Sequence, residues 1–385
     1  MSLLFRILVL FLILFLATVD NQMLLPLLPL MEDDLGIPVS TLGLLISGYA
    51  LAAAAFSIFL GPFTDRYGRV PFFRLGLTIF VLAALLSYRA PGFTSLLALR
   101  AVTGLAAGLL STCTASYIGD QFAYQTRGRI MGMVLSSYFA AMILGIPAGA
   151  ALAEAYQWRS VFLAAAALAA ALLLASWGLP SDRRTPQERQ QVSFSPAQYL
   201  RFFKRREALA ALWVSFAVSG GTVSFLAYVS PYLSSRFGLS SLEISQIFAV
   251  AGAAALVGSP LAGLLSDRFT KRGVFLLANT ALVLPLLALT RLGWGWTFFA
   301  AVFLISLGIA FRQTALQTLQ TELAETRGRG TFIALRNGFS QMGIAAAVFL
   351  AGRFYASSGY AAVTLLAGVL TLAASLLMFA AVRQK

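Results

Sequence analysis

The sequence predicts an all-α membrane protein whose twelve transmembrane helices form two parallel six-helix repeats. The chain of 385 residues is 59% apolar and only 11% charged, whereas soluble proteins carry about 25% charged residues. Apolar runs of the roughly 20 residues needed to cross a bilayer recur along the whole chain. Short motifs in the first half return about 200 residues later. Together these observations predict both the class and the internal repeat.

Each predicted span is an apolar run between polar connectors. The first run continues to Pro26 and Pro29, which makes it too long for a secretory signal. We therefore interpret it as the first transmembrane helix. The runs of the first half cover 4–30, 41–63, 71–89, 94–119, 130–153 and 159–179. Those of the second half cover 209–233, 243–265, 273–290, 294–319, 331–354 and 359–382. We therefore expect an N-terminal six-helix bundle over 1–180, a cytoplasmic linker over 181–207 and a C-terminal six-helix bundle over 208–385.

The composition excludes several classes of protein. Low charge argues against a soluble enzyme, and the apolar, aromatic-rich sequence argues against a disordered chain. The chain has no histidine to act as a base or metal ligand, and its single cysteine, Cys113, allows no internal disulfide. The absence of Walker and Gly-x-Ser-x-Gly motifs argues against direct use of ATP and against a membrane-embedded hydrolase. We expect no enzyme activity, no cofactor and no metal.

The basic residues define an orientation. Formal charge is +14, and 20 of the 28 basic residues lie at the termini and in the connectors after even-numbered spans. Five lie in the opposite connectors, the first of which carries Glu32, Asp33 and Asp34. By the positive-inside rule, both termini and the linker are cytoplasmic, in a cell inner (plasma) membrane. The charge is therefore a topology signal, and we expect no nucleic-acid partner.

The linker has two interpretations. Ser195-Pro196 is typical of a helix start, and aromatic residues such as Phe202 then alternate with the bases of 201–206. This segment is either a short helix in the inner interface, with its bases facing anionic lipid, or a solvated connection whose bases only fix topology.

Two motifs recur at nearly one offset. Gly61-Pro-Phe-Thr-Asp65-Arg66 follows the second span, and Gly263-Leu-Leu-Ser-Asp267-Arg268 follows the eighth, 202 residues later. Thr126-Arg127-Gly128-Arg129 returns as Thr326-Arg327-Gly328-Arg329 after 200 residues. Because six crossings is an even number, the two repeats share one orientation. Parallel repeats of this kind place a substrate site near the middle of the membrane, between them.

These motifs resemble those of the major facilitator superfamily over nearly the whole chain. Gly61-x-x-x-Asp65-Arg66-x-Gly68-Arg69 matches the family's signature between the second and third spans, with Val70 where a basic residue is usual. The second copy, Asp267-Arg268, lacks the internal glycine. The resemblance implies the major facilitator fold, a small-molecule substrate and alternating access.

Other segments are most similar to the twelve-span drug:proton antiporter branch of that family. Leu99-Arg100-x-x-x-Gly104-x-x-x-Gly108 resembles a fourth-span motif associated with proton coupling. Gly145-Ile146-Pro147-Ala148-Gly149 resembles a fifth-span motif of exporters, although Ile146 splits the usual Gly-Pro pair. Glycines at this four-residue spacing let helices pack closely. The resemblance implies export driven by protons, with membrane lipids as further partners.

The signature between the second and third spans implies a conformational latch. Asp65, on the cytoplasmic rim, can accept from free N–H groups at a helix N-terminus, and the resemblance implies the eleventh helix as that partner. Arg66 or Arg69 would then pair with Asp120 at the end of the fourth helix. Such contacts form only when the inner ends of the halves meet, so they would favour the outward-open state. The alternative is a tight turn whose charges only set topology.

Asp20 and Arg100 lie at membrane depth in the first and fourth spans, which line the cavity in this superfamily. Unpaired charges in a bilayer cost several kcal/mol, so we expect the two side chains to pair. A substrate that changes this pairing would change the protonation of Asp20, which couples transport to protons without histidine. The alternatives are a static ion pair, or Asp20 as an acceptor at a helix break near Pro26.

Two further arginines, Arg312 and Arg336, fall within the tenth and eleventh spans. If both face the cavity they favour an anionic or zwitterionic substrate, because Asp20 is the only acid at depth. The alternative for each is an extended side chain that reaches the cytoplasmic headgroups. The predicted substrate cavity is lined by Asn21, Tyr49, Tyr138, Tyr228, Arg312, Gln313 and Arg336.

The leading functional prediction is a monomeric secondary active transporter that couples protons to the export of small amphipathic molecules or drugs. The alternative is uptake or efflux of a sugar or a small anionic or zwitterionic metabolite. A receptor or scaffold that transports nothing is a third class, and it would tolerate the loss of Asp20 and Arg100.

Overall fold

The computed structural model describes residues 3–59, 68–180, 202–323 and 329–381. Within these ranges every regular element is helical. Ten of the described helices are long and apolar enough to cross a membrane. The prediction of an all-α, multi-pass membrane protein is therefore confirmed.

We call residues 3–180 the N-terminal half and residues 202–381 the C-terminal half. The α-helices of the N-terminal half are α1 Leu3–Gln22, α2 Leu28–Leu35, α3 Val39–Leu42, α4 Leu44–Phe59, α5 Arg69–Tyr88, α6 Phe93–Gln121, α7 Tyr124–Leu135, α8 Ser137–Ala140, α9 Ile146–Ala155 and α10 Ser160–Ser176. Those of the C-terminal half are α11 Arg206–Phe237, α12 Ser241–Arg268, α13 Lys271–Ala281, α14 Val283–Ala288, α15 Trp296–Leu323 and α16 Arg329–Ala381.

The last two predicted spans are joined in α16, which runs for 53 residues. Gly359 interrupts it with a φ of 70° and a ψ of −168°, a conformation that an L side chain rarely adopts. A single glycine thus interrupts the helix beside the short connector that the sequence predicts. The sixth predicted span is the shorter helix α10.

Two helix breaks interrupt the N-terminal half. After α1, a 3-10 turn at Leu25–Leu27 contains Pro26, which has no N–H to continue the helix. Before α9, a five-residue π-helical turn at Ala141–Gly145 precedes Pro147. A π turn is a common response to a proline that cannot bond to the preceding helical turn.

Close packing at glycines sets the distances between helices. Any Cβ on Gly104 of α6 would overlap the backbone carbonyl of Tyr49 in α4, and Gly108 packs on Ala53 one turn further. In the C-terminal half, Gly343 of α16 meets the backbone carbonyl of Phe216 in α11 in the same way. Small residues therefore let these helix pairs approach to backbone contact, as their spacing predicts.

The two halves contact each other along two helix pairs. Helix α4 packs along α16, and α9 with the preceding π turn packs on α12. At one end of this interface Ser241 donates to the carbonyl of Pro26 at 2.9 Å. Nearby, the N–H of Leu242 donates to Glu154 at 2.8 Å. Hydrogen bonds between the halves therefore close this end, which is the outer side in the predicted orientation.

The linker lies mostly outside the described residues, and so does the predicted interfacial helix. Phe202, at its described end, is buried against Phe332 at the start of α16, with ring centroids 5.4 Å apart.

Candidate transport site

Two adjacent cavities lie between the halves. The central cavity, of about 260 Å³, is bounded by α1, α4, α6, α8, α11 and α16. The polar cavity, of about 370 Å³, is bounded by α4, α6, α8, α11, α15 and α16. Ser111, Tyr138 and Gln341 line both of them. The cavities are therefore adjacent, and together they form the candidate path for a substrate.

Asp20 and Arg100 form a buried ion pair beside the central cavity. Arg100 Nη1 donates to Asp20 Oδ2 at 2.6 Å, and both residues are 0% exposed. Arg100 Nη2 lies 3.5 Å from the carbonyl oxygen of Asp20 and 3.5 Å from Asn21 Oδ1. The pairing expected from the sequence is present in the structure.

Helix packing holds this pair in place. Gly104 lets α4 touch α6, and this contact brings the ring of Tyr49 over the guanidinium of Arg100. Arg100 Cζ lies 4.6 Å from the centroid of the Tyr49 ring. The hydroxyl of Tyr49 donates to the carbonyl of Ala17 in α1 at 3.0 Å. Tyr49 therefore links α1, α4 and α6 around the ion pair.

The ion pair lies one layer behind the cavity wall. Asn21 and Tyr49 line the central cavity, and both contact Arg100. Asp20 Oδ1 has no hydrogen-bond partner within the described part of the chain. A molecule bound in the central cavity would thus touch the groups that hold the guanidinium, beside a carboxylate oxygen that is free to accept a proton.

Arg336 brings a positive charge to the polar cavity. Arg336 lines that cavity together with Gln313 and Tyr138, three of the residues that the sequence assigns to a substrate cavity. Arg336 Nη2 donates to Asn337 Oδ1 at 2.7 Å, and Nε is buried with no partner in the described chain. The side chain thus points between the halves, which argues against extension to the headgroups.

Arg312 differs from its predicted place in the cavity wall. It is 2% exposed and borders neither cavity in the described structure. Arg312 Nη1 donates to Asn279 Oδ1 at 2.9 Å and to Thr371 at 3.3 Å, and Nη2 donates to Thr222. The reason is its position on the face of α15 that packs within the C-terminal half, where neutral oxygens from three other helices surround the guanidinium.

Tyr228 also lies away from both cavities. Its hydroxyl lies 3.3 Å from the carbonyl of Ser40 and 3.4 Å from that of Val348. Because Ser40 belongs to the N-terminal half, Tyr228 bridges the halves at the end closed by Ser241. Its aromatic ring stacks on Tyr355.

The predicted latch is described only in part. Gly61, Asp65 and Arg66 lie outside the described residues. Gly68, with a φ of 92°, precedes α5, where the left-handed backbone requires a glycine. Arg69 Nε lies 3.3 Å from Asp120 Oδ2, which is one of the two predicted pairings. In the second copy Asp267 and Arg268 are exposed at the end of α12.

The fifth-span motif packs α9 and its π turn on α1. A Cβ on Gly145 would overlap Val19, one residue before Asp20, and a Cβ on Gly149 would press on Met23. Pro147 follows the π turn. The motif therefore positions the helix segment that carries the ion-paired carboxylate.

Comparisons with known proteins identify the family. The family model described as Major Facilitator Superfamily matches residues 10–258 and 212–385, which is more than half of the chain. The chain belongs to the major facilitator superfamily.

Relatives of this major facilitator protein include transporters of several kinds. The uncharacterized MFS-type transporter YbcL of Bacillus subtilis is 25% identical over 387 residues, covering 98% of this chain and 97% of YbcL. Multidrug resistance protein 1 of Bacillus subtilis is 25% identical over 258 residues, covering 67% of this chain and 65% of that protein. The purine ribonucleoside efflux pump NepI of Escherichia coli O1:K1 is 29% identical over 285 residues, covering 70% and 69%.

A solved structure agrees with the fold of this superfamily member. The crystal structure of a D-xylose-proton symporter superimposes with a TM-score of 0.80 over 100% of this chain and 98% of the symporter. At 16% identity this likeness shows the major facilitator fold alone.

Several cavity residues of this transporter were missed by sequence reasoning. They are small polar residues inside apolar helices, such as Ser111 of α6 and Ser215 of α11. Asn337, Ser340 and Gln341 follow Arg336 at spacings that share one helix face. This polar stripe in an otherwise apolar span is a signal that could have found them.

Proposed function

We propose that the protein is a proton-coupled secondary transporter that exports small amphipathic molecules or drugs by alternating access. In this proposal the chain crosses the plasma membrane twelve times, because Gly359 divides α16 into two spans and α10 forms a further span. Both termini are then cytoplasmic, which agrees with the distribution of basic residues.

The buried pair of Asp20 and Arg100 carries the proposal. A proton and the guanidinium compete for the same carboxylate, since each neutralises it at a depth where an uncompensated charge is costly. A substrate in the central cavity would contact Asn21 and Tyr49, and both touch Arg100. Substrate binding therefore changes how strongly Arg100 holds Asp20, and so links the substrate to the proton.

Alternating access requires two states of the interface between the halves. The hydrogen bonds of Ser241, Leu242 and Tyr228 to the N-terminal half hold the outer end closed. We assign the opposite, cytoplasmic end to the latch around Asp65. The ion pair of Arg69 and Asp120 lies within the N-terminal half, so it would support the latch without joining the halves itself. Asp65→Asn should then raise the inward-open population, and unchanged distances between spin labels at the cytoplasmic helix ends would contradict the latch.

Export is supported by the relatives and by the fifth-span motif. Two of the related proteins are named as efflux or multidrug resistance proteins. The break at the π turn before Pro147 lies where the resemblance to exporters was found. The alternative, uptake or efflux of a sugar or a small anionic or zwitterionic metabolite, is favoured by the hydrogen-bonding side chains of the polar cavity.

A ligand screen followed by transport tests this function. Purified protein is screened by thermal shift against lipophilic cations, amphipathic anions, sugars and purine ribonucleosides. The best ligand is then placed at equal concentration inside and outside proteoliposomes, and an imposed proton gradient should drive its net movement across the membrane. If the net movement of the ligand is the same with and without the proton gradient, the proposed proton coupling is wrong and the protein is at most a facilitator.

A further inference from the structure

Arg336 differs from the arginines that have structural partners. Arg100 and Arg69 are each paired with an acid, and Arg312 donates to neutral oxygens of three other helices. Arg336 donates to its own sequence neighbour, Asn337, at 2.7 Å. Its Nε is buried without a partner, like those of Arg100 and Arg312, but no acid whose side chain the structure describes lies within ion-pair distance of Arg336.

The surroundings of Arg336 suit an anion. The described residues that line the polar cavity include serine, asparagine, glutamine and tyrosine but no acid. Arg336 is half-buried, and a partly desolvated cation is stabilised by an anion that pairs with it. A guanidinium with donors left over is well suited to bind a carboxylate or a phosphate through two parallel hydrogen bonds.

The neighbouring side chains are already fixed. Gln320 Nε2 donates to the carbonyl of Ala211 at 3.0 Å and to Ser215 Oγ at 2.6 Å. These bonds use the amide donors within the C-terminal half and hold the side chain in one orientation. Gln320 is therefore a fixed part of the wall, and the hydrogen-bond donors for an anion must come from Arg336.

The central cavity has a different character. It shares Ser111, Tyr138 and Gln341 with the polar cavity, but much of its remaining wall is aliphatic. The aliphatic residues are Leu14, Leu25, Ile46, Val223, Leu226 and Ile344. A molecule that fills both cavities would therefore place a charged end and an apolar end in different surroundings.

From this arrangement we infer that the substrate is a small amphipathic organic anion whose charged group binds Arg336. Its apolar part occupies the central cavity, where it touches Asn21 and Tyr49 beside the ion pair. The inference rests on the proposed function, since it takes the two cavities as the substrate path. It narrows that function by selecting anions over lipophilic cations and neutral sugars.

Equilibrium binding to the purified full-length protein tests the inference. The probes are two matched sets of equal size: naphthoate, naphthamide and naphthylmethylammonium, and phenylbutyrate, phenylbutyramide and phenylbutylammonium. Each set changes charge and keeps the apolar body. The wild-type protein should bind the two anions at least about tenfold more tightly than their amides, the effect of one charge-assisted hydrogen bond.

Variants assign this selectivity to one side chain. Arg336→Gln should lower affinity for the anions by about tenfold or more and leave the amides unchanged. Arg336→Lys keeps the positive charge and should retain part of the affinity for the anions. Arg353→Gln, which removes an exposed arginine from the same helix, is the matched control and should bind like the wild type.

Several outcomes would overturn the inference. These are failure of both anions to bind the wild type at millimolar concentration, equal affinity for anion and amide, and full anion affinity in Arg336→Gln. If Arg336→Gln does not fold, the charge selectivity of the wild type and of Arg336→Lys decides the question. If the protein moves a neutral or cationic compound in response to a proton gradient, the inference of an anionic substrate is wrong and the proposed transport function stands. If it binds the anions but no proton gradient drives their movement, the inference stands and the proposed proton coupling is wrong.

Discussion

Asp20 Oδ2 and Arg100 Nη1 lie 2.6 Å apart although the two residues are separated by 80 positions in the sequence. The pair joins α1 to α6, and neither residue is exposed. It lies directly behind Asn21 and Tyr49, which face the central cavity. This relationship connects the burial of charge, the packing of glycines and the proposed coupling to protons.

Arg100→Gln should lower stability and stop transport. Removing one partner of a buried ion pair leaves an uncompensated charge, which costs about 3–5 kcal/mol. Thermal unfolding of the purified protein should show a clear fall in Tm. The double variant Asp20→Asn/Arg100→Gln should recover part of the Tm but no transport. A static structural pair predicts instead that activity returns together with stability.

Gly104→Ala should destabilise the protein through the contact between α4 and α6. The added methyl group overlaps the Tyr49 carbonyl, and overpacking of this kind costs about 1–3 kcal/mol. Gly119→Ala, in the same helix, is the matched control, because nothing lies within 4 Å of its Cβ. The control should keep or slightly raise the Tm. A similar fall for both variants would contradict the role of the backbone contact, because alanine has the higher helix propensity and should not destabilise an open site.

Glu154→Gln should weaken the closed outer end. Glu154 accepts from the Leu242 N–H at the start of α12, where a carboxylate is worth about 0.3–1 kcal/mol. The population of the state in which this end of the interface is open should rise about two- to fivefold. Pulsed electron resonance distances between labels at Tyr156 and Trp296, both exposed, would report it in a Cys113→Ser background.

The control for this variant is Glu243→Gln. Glu243 accepts from the Ser240 N–H at the same helix end, but within the C-terminal half. It should alter the stability of that helix end and leave the distance distribution unchanged. If Glu243→Gln shifts the distances as much as Glu154→Gln does, the contact between the halves is not what holds this end closed.

The sequence predicts the fold and the ion pair because both follow from strong local constraints. Long apolar runs must be helical in a bilayer, and the charges of Asp20 and Arg100 at membrane depth require a partner. Whether the side chains of Arg312 and Tyr228 line the cavity could not be predicted in this way. Spans buried on several sides show little amphipathic periodicity, so the sequence does not distinguish a wall of the cavity from a contact inside one half.

The break at Gly359 adjoins the connector that the sequence predicts between the last two spans, 331–354 and 359–382. What the sequence does not show is that a single glycine with positive φ makes this break. The polar cavity was likewise missed in part. Its serines and amides are common in apolar helices, and only their three-dimensional convergence on Arg336 makes them a site.

Proton-driven transport in proteoliposomes tests the central claim most directly. With the best ligand of the screen inside the vesicles, an imposed proton gradient should drive its movement by the wild type and by Asp33→Asn, an exposed control in α2. Asp20→Asn should abolish this movement and keep ligand binding. Proton-driven transport by Asp20→Asn at the wild-type rate would show that the buried carboxylate does not couple substrate to protons.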